Sequence, residues 1–158
     1  MIILGIDPGY DRLGIAVVEK KGVSGLLLHS ECFTTSAKLS LPNRLALVAE
    51  KLREIFTTYK PNILAIETLY FSSNKKTAIS VAGVRGVILS EAAQANLTIE
   101  EYAPGTIKVA VTGYGNATKE AVMKMVPKLI HFPKESSSDD ELDAVSVALT
   151  ACAILKEN

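Results

Sequence analysis

A chain of 158 residues that is 48% hydrophobic and 22% charged is one globular domain of ordinary size, with enough apolar residues for a real core. No apolar run reaches the roughly 18–20 residues that span a bilayer, and Met1 runs straight into a strand-like segment, so neither a membrane anchor nor a secretory leader is expected and a cytoplasmic location follows. Seventeen basic residues against seventeen acidic ones give no basic excess of the kind nucleic-acid binders usually carry; acids sequestered around cations would nevertheless leave the rest of the surface net positive.

The first strand is predicted over 2–6, apolar throughout as in a strand covered on both faces. Pro8-Gly9-Tyr10-Asp11 is turn chemistry. A second strand over 13–19 and a third over 26–34 complete an antiparallel meander. A helix follows over 42–59, with Leu45, Val48, Leu52 and Ile55 as its core stripe, and then a short buried strand over 62–67. A loop over 68–74 leads to a long helix over 75–96. Its small-residue centre, Ala82-Gly83-Val84-Arg85-Gly86-Val87, suits close packing within the subunit or against another surface. The fifth strand spans 98–103. Helices are predicted over 104–111 and 119–130, with a loop, Thr112-Gly113-Tyr114-Gly115-Asn116, between them. After a polar stretch at 133–138, expected to be mobile, the last helix runs to about 156 from a capping box, Ser138-x-x-Glu141; Leu142, Val145, Leu149 and Cys152 form its stripe. No repeat, linker or second domain interrupts residues 1–158. Cys32 and Cys152 lie in apolar surroundings without metal-ligand spacing and read as reduced, buried thiols.

Strand–helix–strand crossovers place the fourth and fifth strands parallel to the first. Asp7 and Glu67, each closing an apolar run, then end neighbouring parallel strands on one edge, where open α/β sheets bind ligands. Asp140 and Asp143 sit three apart in the first turns of the last helix. Together the four acids suit an oxygen-only cage for hard cations such as Mg²⁺, the kind of site that hydrolyses phosphodiesters. Each acid also has a plainer reading. Asp7 can cap its own turn, Asp140 and Asp143 can answer the helix dipole, and Asp139 competes with Asp140 by proximity. An acid closing a buried strand, as Glu67 does, is costly unless paired or liganded. There is no Walker-type loop, and His29 and His131 lack paired-ligand spacing.

These residues resemble the RuvC family of crossover-junction (Holliday junction) endodeoxyribonucleases over nearly the whole chain. The likeness rests on Gly5-Ile6-Asp7-Pro8-Gly9 with Gly14, Ala65-Ile66-Glu67, Ala82-Gly83-Val84-Arg85-Gly86-Val87, Tyr102-Ala103-Pro104 followed by Lys108, Thr112-Gly113-Tyr114-Gly115, and Asp140-x-x-Asp143-Ala144. It implies an α/β, RNase H-like (resolvase) fold, with a five-stranded mixed sheet of order 3-2-1-4-5 flanked by helices. The implied enzyme resolves four-way DNA junctions by paired symmetric nicks in recombination and repair. Asp7, Glu67, Asp140 and Asp143 would be catalytic residues holding two Mg²⁺ ions, with Mn²⁺ able to substitute. The resemblance further implies DNA contact by Arg85, Lys108 and Lys119, stacking on bases by Tyr70 or Phe71, a homodimer, and partnership with the RuvA–RuvB branch-migration complex. Two other readings keep the same fold: a non-catalytic junction-binding module, and an RNase H-like nuclease acting on another nucleic acid. For Lys108 and Lys119 the plainer reading is solvated surface lysines, and for Tyr70 and Phe71 loop-anchoring aromatics.

Overall fold

A computed structural model describes residues 1–22, 24–68, 75–132 and 138–156. Ten elements follow one another: β1 (Ile2–Asp7), β2 (Arg12–Lys21), β3 (Ser24–Thr34), α1 (Leu41–Tyr59), β4 (Ile63–Glu67), α2 (Lys75–Gln94), β5 (Thr98–Tyr102), α3 (Pro104–Thr112), α4 (Lys119–Leu129) and α5 (Asp139–Ile154). The strands form one sheet of order β3-β2-β1-β4-β5. β1 to β3 pair antiparallel, while β4 and β5 run parallel to β1. The element order, the parallel pairings and the strand order all match expectation. Residues 133–137, most of the polar stretch expected to be mobile, lie outside the described part of the chain.

Side-chain parity along β1 and β4 divides the core into two layers. Leu4, Ile6, Leu64 and Ile66 face α1 and α2, where Val48, Leu52, Ile55, Val84 and Ile88 meet them. Ile3, Ile63 and Ala65 face the other way, toward α3, α4 and α5. β1 and β4 are apolar on both sides because helices cover both sides.

Continuing the alternation by one step decides where the site lies. Asp7 follows Ile3 and Gly5, and Glu67 follows Ile63 and Ala65, so both carboxylates emerge on the α5 side at the C-terminal edge of the sheet. The register extends this row across the antiparallel half: Asp7 pairs with Gly14, and Gly14 with Cys32. Gly14 leaves a gap in that row, which the backbone of α5 fills. A Cβ there would overlap the carbonyl oxygen of Asp140. Gly5 does the same one turn along, where a Cβ would overlap the Ala144 carbonyl and crowd Ala148. Two glycines on neighbouring strands thus let α5 lie almost on the sheet. This explains why α5 is buried nearly all round, from Ala144 to Cys152, well beyond the predicted stripe of Leu142, Val145, Leu149 and Cys152.

Candidate active site

Three acids line one cleft of about 240 Å³: Asp7 from β1, Glu67 from β4 and Asp143 from the second turn of α5. Its other wall belongs to α3 and α4. Lys108 and Lys119 contribute their side chains, and Pro104, Ile107, Val122 and Val147 make the lining partly apolar. Local sequence fixes each contributor. Thr118 caps α4, its hydroxyl accepting from the Ala121 N–H at 3.2 Å, which places Lys119 at the first helical position. Ser138 caps α5 in the same way, accepting from the Glu141 N–H at 3.3 Å. That sets Asp139, Asp140 and Glu141 in the first turn, where acids suit the helix dipole.

The fourth acid, Asp140, is engaged at the edge of this cleft. Three residues along a helix is a rotation of about 60°, and Asp140 is thereby turned toward β2 and β3 while Asp143 faces the cleft. Its Oδ2 takes the Arg12 guanidinium at 2.6 Å, and the Cys32 thiol donates to the same oxygen at 3.6 Å. The expectation that Cys32 sits among apolar neighbours is therefore corrected: it is half-buried with a carboxylate in reach. Cys152 is buried as expected, and burial pushes its thiol up to about 11. Asp139 is exposed on α5 and is not among the cleft residues.

The electrostatics describe a site short of positive charge. Burial and then the charges of Asp143, Glu67 and Asp140 push the Asp7 carboxyl up to about 7, against a smaller opposing pull from Lys119. Glu67 is raised by burial and by Asp143, and Asp143 is raised by burial although Lys119 opposes it. Lys119 Nζ donates to Asp143 Oδ2 at 2.9 Å, and that bond raises the ammonium's own pKa. Among the described residues, no three carboxylate, imidazole or thiol groups already stand where one ion could take them all; Lys119 and Arg12 hold two of the acids. The donor set nevertheless fits hard divalent cations. All four donors are carboxylates, and a cation would offset the burial and the like-charge repulsion that together raise the Asp7 carboxyl.

Arg85 does not face solvent as a DNA contact would, and that expectation is corrected. It is buried on the opposite face of the sheet, where Nη1 donates to the Glu67 carbonyl at 2.6 Å and Nη2 pairs with Glu101. Its guanidinium pins the end of β4 from behind. The Thr68 N–H, donating to the Tyr102 carbonyl at 2.9 Å, pins it from the side. Tyr70 and Phe71 lie outside the described residues. Sequence reasoning also missed Arg12. An exposed arginine at the start of an edge-side strand has no signal of its own, and its role needs the Asp7–Gly14–Cys32 row to be known.

Known proteins resemble this chain over nearly its whole length. The family model described as crossover junction endodeoxyribonuclease RuvC matches residues 3–151. The crossover junction endodeoxyribonuclease RuvC of Petrotoga mobilis is 45% identical over 148 residues, which is 94% of this chain and 91% of that protein. Its counterpart in Rickettsia prowazekii is 39% identical over 99% of both. Thermus thermophilus RuvC, solved in complex with a Holliday junction substrate, superposes with a TM-score of 0.87 at 30% identity, over 95% of this chain and 92% of that one. The sheet order and the flanking helices are those of the RNase H-like fold. With nearly its whole length matched, the chain belongs to the RuvC family of crossover junction endodeoxyribonucleases, nucleases that hydrolyse phosphodiester bonds.

Proposed function

We propose that this chain resolves four-way DNA junctions by paired, symmetric nicks, with Asp7, Glu67, Asp140 and Asp143 as its catalytic carboxylates. The observation that carries this reading is the convergence of Asp7, Glu67 and Asp143 on one cleft whose facing wall bears Lys108 and Lys119. Two Mg²⁺ ions, or Mn²⁺ in their place, supply Lewis acidity toward the attacking water and toward the departing 3′ oxygen when bound. The chain supplies position and charge. Asp7 and Glu67 hold their oxygens on rigid strand ends, and Asp143 brings a third carboxylate from α5. Asp140 completes the set once its pairing with Arg12 opens.

Lys108 and Lys119 take phosphate oxygens of the strand and fix its register. Lys119, which pairs with Asp143 at 2.9 Å, would be free for this role with cations bound at that carboxylate. The apolar wall keeps bulk water from the reacting phosphate. Products are a 5′-phosphate and a 3′-hydroxyl. Action on DNA in a bacterial-type recombination pathway implies a cytoplasmic setting and service alongside the RuvA–RuvB branch-migration machinery; among the described residues, no helix is long and apolar enough to cross a membrane.

A dimer presents two such sites to a roughly two-fold junction. The outward face of α2 supports that arrangement. Ile79, Ala82, Gly86, Ser90 and Ala93 are all exposed, at helical spacing, and form a flat strip of mostly small side chains suited to a second copy of the same helix.

The test uses a labelled four-way junction, a linear duplex and an RNA–DNA hybrid of matched sequence, each with and without Mg²⁺. Symmetric, Mg²⁺-dependent nicks in the junction alone are expected. Tight junction binding with no cleavage across a panel of sequences and metals would mark a binding module, and cleavage of the hybrid or duplex would mark a different nuclease.

A further inference from the structure

Arg12 stands at a distinctive place. It begins β2 on the α5 face of the sheet, on the same side as Gly14 and one alternation from it. Its side chain is 54% exposed, yet its guanidinium pairs with Asp140 at 2.6 Å and also lies beside the Cys32 thiol. The neighbouring acid in sequence, Asp11, is taken by the buried Arg44, so Asp140 is the carboxylate left for Arg12 to engage. The Asp140 backbone is fixed against Gly14 and cannot retreat. The pair therefore opens by movement of side chains, above all of the long, solvent-exposed arginine.

We infer that Arg12 is a positioning residue that couples cation binding to strand binding: it neutralises Asp140 in the free protein and passes to a phosphate of the bound DNA strand when a divalent cation claims that carboxylate. The inference rests on the reading of the four acids as a cation site. A carboxylate oxygen that faces a divalent cation has less attraction left for a guanidinium. The released guanidinium is exposed at the rim of the cleft, where phosphate is the next available anion and a fork of N–H donors suits it well. A phosphate that draws Arg12 away likewise leaves Asp140 more anionic toward the cation. Each ligand thus strengthens the other by the same factor, as linkage requires. Lys119 on Asp143 repeats the construction on the opposite wall. The chain carries equal numbers of basic and acidic residues, and these exchangeable pairs give it a positive cleft once cations are bound.

The experiment has two readouts, neither of them cleavage. Calorimetric titration of the DNA-free protein with Ca²⁺ measures cation affinity. Junction binding with and without Ca²⁺, at fixed ionic strength, measures the coupling. Wild type, Arg12→Gln and Arg12→Lys are compared, with thermal unfolding of each as the folding control. Arg12→Gln is expected to bind Ca²⁺ about two- to fivefold more tightly than wild type, the scale of an exposed ion pair released. It should also lose most of the gain in junction affinity that Ca²⁺ gives wild type, and Arg12→Lys should restore part of it. A folded Arg12→Gln protein with wild-type Ca²⁺ affinity and an unchanged Ca²⁺-dependent gain would overturn the coupling while leaving the cation site intact. Absence of Ca²⁺ and Mg²⁺ binding to wild type, with or without junction DNA, would overturn the cation site itself and this inference with it.

Discussion

The catalytic role proposed for Asp7 stands against its effect on stability. Its carboxyl keeps a proton in the folded protein up to about pH 7, whereas 3.8 is the ordinary value. Between those values the folded state binds more protons than the unfolded state. Asp7's contribution to stability in the absence of cations therefore falls as pH rises from about 4 through 7 and stays low above it. Each pKa unit is about 1.4 kcal/mol, so Asp7→Asn, which has no charge to bury, is expected to be more stable than wild type at pH 8 by on the order of 2–4 kcal/mol and nearly equal at pH 4. Urea unfolding in EDTA at the two pH values checks this, and parallel profiles for the two proteins would refute it. The same substitution should abolish cleavage and spare junction binding. Asp7 and Glu67 were legible in the sequence because a carboxylate at the end of an all-apolar run has few tolerable environments. Arg85, Arg44 and Lys20 were not, since a charged side chain reads as surface unless its buried partner is known. Arg85 meets the Glu67 carbonyl and Glu101, Arg44 meets Asp11, Tyr10 and Thr35, and Lys20 meets the carbonyls of Gly22 and Cys152.

At the scale of elements, the seating of α5 on β1 and β2 is what brings the helix acids to the strand acids. Strand order, crossovers and caps were readable because each rests on local spacing: Pro104 and Pro42 at helix starts, Ser138 three residues before Glu141, Pro61 after α1. The closeness of α5 to the sheet was not. It depends on Gly5 and Gly14 facing the helix backbone across the fold, and the sequence shows only two glycines in two strands. The split between Asp143 in the cleft and Asp140 at its edge has the same origin, because it follows from the angle at which α5 is seated. Gly14→Ala would press a methyl group into the Asp140 carbonyl oxygen and to 3.1 Å from the Asp7 Cβ. Backbone must move to admit it, so a loss of roughly 1–3 kcal/mol is expected, the usual range for overpacking. Cleavage should fall at least tenfold at temperatures where the protein remains folded, because the first turn of α5 is displaced from Asp7. Gly105→Ala is the control: nothing lies within 4 Å of the added methyl, and stability there should hold or rise slightly. Equal losses in the two variants would show that seating of α5 is not the cause.

At the scale of the molecule, resolution needs two cuts in one encounter, and one cleft makes one cut. In the dimer proposed above, the α2 strip would be the place for the second subunit, since the other face of α2, with Val84 and Ile88, is already committed to the core. Ile79 is 72% exposed, the most exposed of the large hydrophobic residues described. A glutamate there would meet its own symmetry mate or that copy's apolar strip across a two-fold contact, while little in the monomer would sense it. Ile79→Glu is therefore expected to keep wild-type thermal stability at low protein concentration and to shift the mass measured by light scattering from dimer toward monomer. The functional signature is a change in products. On a supercoiled circle bearing an extruded four-way junction, paired cuts by a dimer linearise the circle, whereas a single cut relaxes it and lets the junction reabsorb. Wild type should yield mainly linear product, and Ile79→Glu mainly nicked circle, with each remaining cut still dependent on Asp7 and Glu67. Dimeric Ile79→Glu that still linearises the circle would place the subunit contact elsewhere on the surface. Monomeric wild type that linearises it would detach paired cutting from dimerisation altogether.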